Sequence, residues 1–242
     1  MSNHPVQQLV LDLTPPRLPS FENFLPGSNG DTIMLLRQLL TGQVRESVVY
    51  LFGPKASGKT HLLFAAVQLA RDLGFAANYY IGAEGLSELP DAQTMPWLAL
   101  DHTDNWDARW QAMVFRAINE RRQQGGTVLM AGREPPAHTD VREDVRTRLG
   151  WGMVLPVLPL EDEEKPTALA HYAAQRGIDI SSEVIDYLIT RGSRDLPSLL
   201  STIVALDRFS LEKKRPITVP LLKTLWAEKV PAPPDLELNR PY

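Results

Sequence analysis

Cysteine is absent from all 242 residues, which excludes disulfides, thiolate metal sites and cysteine nucleophiles. Also missing is any apolar run approaching the ~18 residues that a membrane helix needs. The start, Met1-Ser2-Asn3-His4-Pro5, has no basic flank leading into an apolar segment. Positive charge is in short supply as well. With 25 Lys and Arg against 29 Asp and Glu, the formal net charge is -4, so bulk electrostatics give no reason for the chain to coat nucleic acid, and any DNA contact is local or indirect. Together these shortages point to a cytoplasmic protein with no membrane association, in a reducing compartment. What is present is ordinary for a folded chain: 43% apolar and 22% charged residues suit one α/β domain with a small satellite.

Residues 1–17 carry an apolar island, Leu9-Val10-Leu11-Asp12-Leu13, between a polar start and the breakers Pro15, Pro16 and Pro19, and read as a flexible arm. From Ser47 to Phe52 the chain is continuously apolar and rich in β-branched and aromatic residues, the composition of a strand buried on two faces. Helix-forming residues follow from His61 and stop near Gly74, a C-terminal cap. Further strands are expected at Ala77 to Ile81, Trp97 to Leu100 and Thr127 to Ala131, with an amphipathic helix from Ala108 to Gln124. Strands alternating with helices imply a wound parallel sheet. After a short strand at Met153 to Leu155 only helices are expected: Glu163 to Arg176, Ser182 to Arg191, Leu196 to Phe209 and Val219 to Ala227, with Ser182 as an N-cap. The expected division is an arm at 1–17, an α/β nucleotide-binding subdomain at 18–159, a helical lid at 160–229 and a proline-rich disordered tail at 230–242.

Gly53-Pro54-Lys55-Ala56-Ser57-Gly58-Lys59-Thr60 has the P-loop pattern and lies between an expected strand and an expected helix, the context in which loop N–H groups and a helix N-terminus wrap phosphates. Lys59 would reach the outer phosphates and the Thr60 hydroxyl would hold Mg²⁺. An acidic residue at the end of a neighbouring strand is needed beside that metal, and Asp101 stands there. The next residue is His102, where a hydrolase of this type carries an acidic group, which weakens intrinsic hydrolysis. Asp104 and Asp107 suit either a substitute role or that of solvated loop acids. Farther on, Arg142, Arg146 and Arg148 precede Leu149-Gly150-Trp151-Gly152. Arg148 suits two readings: a guanidinium that stabilises phosphoryl-transfer charge in a neighbouring subunit, or a cation serving its helix dipole.

Assembled, these residues resemble the AAA+ ATPases, and within them the initiator-like DnaA group, over about residues 18–229. Phe21 to Asn29 looks like the family's base-recognition segment, Arg148 matches the arginine finger acting in trans, and Arg194 matches the second-sensor arginine that reaches the phosphates. The resemblance implies a P-loop AAA+ fold with a parallel five-stranded sheet and a C-terminal helical lid, binding ADP or ATP with Mg²⁺. Arg133, where the first-sensor loop usually has a short polar or acidic residue, departs from the pattern, as does His102. The initiator's DNA-reading helix-turn-helix domain is not seen after the lid.

That form is similar to the Hda family, which inactivates the DnaA initiator by stimulating hydrolysis of its ATP and binds the DNA polymerase sliding clamp through an N-terminal peptide. Gln8, Leu9, Leu11 and Leu13 match that peptide, with Asp12 a departure from the proline often seen; an extended arm could also pack on its own domain. The resemblance thus implies the DnaA initiator and the clamp as partners, DNA indirectly through the clamp, and room for a homo-oligomer. The alternative is a helicase-loader-like or other AAA+ ATPase whose own turnover drives remodelling, against which His102 and Arg133 argue. A structural protein with a relic P-loop conflicts with the joint presence of Lys59, Thr60 and Asp101, and against a small-molecule kinase the chain has a C-terminal helical lid in place of an obvious acceptor-binding insertion.

Overall fold

The computed structural model describes residues 18–82, 88–102 and 107–228. The peptide around Gln8 to Leu13, Asp104 and the tail from 230 lie outside the described residues. Contacts divide the chain into two units, Leu18–Glu161 and a second one from Asp162 onward.

In the first unit, strands β1 (Val48–Phe52), β2 (Ala77–Ile81), β3 (Trp97–Asp101), β4 (Thr127–Gly132) and β5 (Met153–Pro156) form one sheet in the order β2-β3-β4-β1-β5. Every pairing is parallel, so each connection crosses over a face. Helices α1 (Gly30–Leu40), α2 (Lys59–Asp72), α3 (Ala108–Gln124) and α4 (Glu143–Leu149) cover those faces. The side chains of β1 alternate between them with period two. Val49 and Leu51 pack with Leu36, Leu62, Leu63 and Ala66 of α1 and α2, whereas Val48 and Tyr50 pack with Trp110, Val114, Ile118 and Val145 of α3 and α4. The result is three layers, α/β/α, with β1 buried on both sides. Helix α1 was not singled out from the sequence, although Thr32, Leu36, Leu39 and Leu40 line its buried face at helical spacing.

Element ends follow local chemistry. Asp107 caps α3 by accepting from the N–H of Trp110, and Gly125 closes it at φ +86°. Gly74 takes φ +86° just beyond the end of α2. The buried Arg121 donates to the carbonyls of Pro90 and Met95, which fastens the stretch before β3 to α3.

The second unit is a bundle of α5 (Lys165–Gln175), α6 (Ser182–Arg191), α7 (Leu196–Lys213) and α8 (Val219–Ala227). Its own core holds Leu169, Leu188, Ile203, Leu206 and Leu222. Proline stands in the first turn of α5, α7 and α8, where a missing N–H costs nothing. Ser182, expected to be an N-cap, is instead the first helical residue of α6. The extended Ser181 precedes it and makes no side-chain capping bond. Two adjacent serines give the sequence no means of ranking them. Helix α7 also runs four residues past the expected Phe209, ending where Lys214 turns left-handed at φ +53°.

Gly152, at the mouth of β5, has no room for a side chain, since an added Cβ would lie 1.9 Å from the carbonyl oxygen of Val48. Gly152→Ala is therefore expected to destabilise the chain by about 1–3 kcal/mol. Gly150→Ala, where the new methyl meets nothing closer than 3.6 Å, should change stability by less than about 0.5 kcal/mol. Urea denaturation of the two variants measures the contrast.

Candidate functional site

The carboxyl ends of β3, β4 and β1 lie level, with Phe52 opposite Gly132 and Leu100 opposite Met130. This is the edge of a wound sheet at which loops meet ligands. The chain leaves β1 through Gly53, whose N–H donates to the carbonyl of Gly132. Its φ is +156°, and a Cβ there would stand 2.1 Å from the carbonyl oxygen of Val157. Gly58, at φ +102°, would bring a Cβ within 2.7 Å of the Phe24 ring. Between them Ala56 is left-handed at φ +64°, a conformation costing roughly 1–2 kcal/mol for an L-residue. Two residues that cannot carry side chains and one that is strained thus shape Gly53 to Thr60, including Pro54, Lys55 and the buried Ser57, into a tight cradle ahead of α2.

Lys59 opens α2, and its ammonium donates to the carbonyls of Gly53 and Pro54, each at 2.7 Å, with Ser57 Oγ at 3.4 Å. The charge is therefore held across the mouth of the loop, above the N–H groups of the first helical turn. A backbone concavity, a helix N-terminus and a fixed ammonium are the parts that hold a polyphosphate, and the cradle fits that group.

Asp101 closes β3 on the α2 side of the sheet, two residues beyond Ala99, which packs in the α1 and α2 core. It is buried, and each carboxylate oxygen already accepts from a protein donor. Oδ2 takes the Tyr79 hydroxyl at 2.8 Å and Oδ1 takes the His102 N–H at 2.8 Å. His102 is left-handed at φ +55°, with its Nδ1 3.6 Å from Oδ2. Thr60 stands in the first turn of α2. Among the described residues no cluster of three or more His, Asp or Glu could hold a metal ion alone. The donor set offers a divalent cation a threonine hydroxyl but no carboxylate oxygen that is not already engaged by a protein donor. Burial and the neighbouring carboxylate both push the Tyr79 phenol far above its ordinary range, so it remains a donor. Tyr79 was not foreseen, because its meeting with Asp101 depends on the β2–β3 register, which pairs Ile81 with Asp101. Arg133 leaves the same edge after β4 and is exposed.

The segment from Phe21 to Asn29 is tied down across this edge. Asn29 exchanges two hydrogen bonds with the backbone of Leu158, and the Thr32 hydroxyl donates to the Pro156 carbonyl. The Phe24 ring stands edge-on to His61, one residue past Thr60, with centroids 5.1 Å apart. His61 Nε2 donates to the Ser20 carbonyl at 2.9 Å.

Arg148 lies on the opposite layer, at the last turn of α4. Its guanidinium stacks 3.8 Å over Phe115 and 4.8 Å from the Trp151 ring centre. It donates to Asn119 Oδ1 and to the Asp144 carbonyl, both neutral oxygens. Arg122 covers the same half-exposed Trp151 at 4.3 Å. By contrast, Arg142 pairs with Asp144, and Arg146 donates to the Val141 carbonyl. Asp107 serves as the cap of α3. Arg194 belongs to the second unit, where it is exposed just before Asp195, the cap of α7. The buried Lys165 donates to its carbonyl.

Burial holds the His61 pKa below its ordinary value of 6.5. The unfolded chain therefore binds the proton first, so this contribution is complete above about pH 6.5 and is lost as pH falls below it. Thermal unfolding from pH 8 to 5 should show a smaller loss of stability in His61→Gln, whose amide can donate to the same carbonyl without titrating, than in the parent chain.

Comparison with known proteins bears on these features. Residues 162–225 match the family model described as Hda, lid domain. Domain III of the Thermotoga maritima replication initiation protein DnaA superposes with TM-score 0.74 at 16% identity, covering 86% of this chain and 95% of that one. The replication initiator DnaA bound to AMPPCP and single-stranded DNA gives 0.69 at 19% identity over 90% and 70% of the respective chains. The Thermotoga maritima RuvB Holliday junction branch migration motor gives 0.65 at 16% identity over 88% and 73%. The fold is that of the AAA+ proteins, and among the described residues no helix is long and apolar enough to cross a membrane. Residues 162–225 thus match an Hda lid, and the chain as a whole has the fold of DnaA domain III.

Proposed function

We propose that this chain is an adenine-nucleotide-bound regulator of replication initiation. In this reading Gly53 to Thr60 hold the phosphates of ADP or ATP, and Arg194 of the lid contacts them. Gln8, Leu9, Leu11 and Leu13 tether the chain to the sliding clamp, and Arg148 enters the active site of the DnaA initiator to promote hydrolysis of its ATP. The initiator's structure with AMPPCP supports an adenine nucleotide as ligand.

The observation that carries the reading is the setting of Arg148. Its helix packs on the sheet face opposite α2, so it is separated by the sheet from the chain's own P-loop helix. Among the described residues its charge meets neutral oxygens and aromatic rings. A guanidinium held by neutral partners keeps its charge for an external anion, whereas one paired with a carboxylate does not. Rings against the guanidinium fix its direction while leaving donors to spare. His102 and Arg133 at the chain's own site support a weak intrinsic turnover, because they stand where hydrolases of this type carry an acidic and a short polar or acidic residue.

Lys59→Ala should weaken adenine-nucleotide binding by roughly tenfold or more, because it removes a charge-assisted phosphate contact that no other loop residue supplies. Calorimetry with ADP reads this directly, and an unchanged affinity would remove the P-loop assignment.

Arg148→Ala should leave nucleotide and clamp binding intact, yet lower phosphate release from ATP-loaded initiator, with clamp on DNA, by roughly 10³-fold. Lysine should not restore it, since an ammonium lacks the planar fork. Removing residues 1–15 should abolish stimulation together with clamp pulldown. Equal stimulation by the parent and Arg148→Ala would overturn the finger role, and rapid turnover by this chain alone would favour a motor.

A further inference from the structure

Tyr79 reaches Asp101 from the neighbouring strand and on the same face of the sheet. In the β2–β3 register Tyr79 pairs with Ala99 and Ile81 with Asp101, so the phenol lies diagonally behind the carboxylate and meets Oδ2 at 2.8 Å in a buried hydrogen bond. The ring cannot easily withdraw. It packs on Phe64 of α2 with centroids 4.9 Å apart, and Phe64 lies one helical turn beyond Thr60 on the same face of α2. Phenol, carboxylate and the first turn of the P-loop helix are therefore linked through one set of contacts.

The other carboxylate oxygen accepts the His102 N–H, so a neutral donor is present on each oxygen. A buried carboxylate needs such partners or a cation. With one neutral donor on each oxygen, it has less to gain from a metal than an unpartnered carboxylate has.

We infer that Tyr79 is a positioning residue that holds Asp101 as a hydrogen-bond acceptor instead of a partner for a divalent cation, so that this chain binds its nucleotide with little dependence on Mg²⁺. The inference rests on the nucleotide-site reading above and adds a metal preference to it. Tyr79→Phe keeps the ring against Phe64 but removes the donor. Oδ2, whose next polar neighbour is His102 Nδ1 at 3.6 Å, then has no donor at hydrogen-bond distance, and the variant gains the Mg²⁺ dependence that the parent lacks.

Calorimetric titration of ADP into the full chain, in excess Mg²⁺ and in excess EDTA at matched ionic strength, tests this. In the parent the two affinities should agree within about threefold, whereas in Tyr79→Phe Mg²⁺ should strengthen binding by roughly tenfold or more. Adding Asp101→Asn to Tyr79→Phe should abolish that gain, because the amide no longer attracts a cation. A second readout needs no variant: Mn²⁺ titrated into the parent chain with ADP, followed by electron paramagnetic resonance, should show no more bound Mn²⁺ than ADP alone accounts for. A parent that loses more than about tenfold in EDTA, tight protein-bound Mn²⁺ in its ADP complex, or a Tyr79→Phe chain with the parent's Mg²⁺ response would each overturn the inference. Absence of ADP binding by the parent in either buffer would overturn the nucleotide-site reading itself and this inference with it.

Discussion

Between the end of β1 and the residue after β5, two backbones approach with no room for a side chain between them. The Val157 N–H donates to the Phe52 carbonyl, and the Val157 carbonyl then lies where a side chain on Gly53 would be. That approach aims the chain out of the sheet, and the left-handed residues that follow curl it back into α2. The cost is strain at Ala56 and the loss of side chains at Gly53 and Gly58. Packing of β1 between two parallel neighbours and two helical layers holds it in place. Cradle, ammonium and helix N-terminus all inherit their positions from this contact.

The sheet order extends the same constraint. Because β4 lies between β1 and β3, the loop carrying Arg133 emerges between the P-loop strand and the strand that ends at Asp101. Alternation across the pleat then decides which layer each group belongs to. Asp101 and Tyr79 fall on the α2 side, while α3 and α4 occupy the other. Two settings are thereby separated by one sheet: the backbone cradle of Gly53 to Thr60 on one side, and on the other a guanidinium that meets neutral oxygens and aromatic rings among the described residues. Arg122, Trp151, Arg148 and Phe115 stack in succession on that second layer, which stiffens long side chains that would otherwise lose several rotamers on ordering.

Much of this was legible in the residues themselves. The run from Val48 to Phe52 announced a strand buried on both faces, and the glycine spacing from Gly53 to Thr60 announced the cradle, because few sequences satisfy both a left-handed turn and a helix start. Apolar periodicity located the four lid helices, and the matched lid model covers that region. Such features are local: they depend on residues within a turn or two of each other, where spacing along the chain equals spacing in space.

What only the tertiary structure decided involves pairs distant in sequence. Tyr79 and Asp101 are brought together by strand register, Asn29 and Leu158 by the crossing of an early segment over a late one, and Arg148 with Asn119 and Phe115 by the packing of α4 on α3. Register and packing emerge from the simultaneous burial of whole faces, so no window of sequence contains them. The sequence by itself determined that the chain would build a P-loop on a wound sheet with a helical lid. The fold decided which partners its charged groups meet, because hydrogen bonds and cation contacts act over a few ångströms in space whatever the distance along the chain.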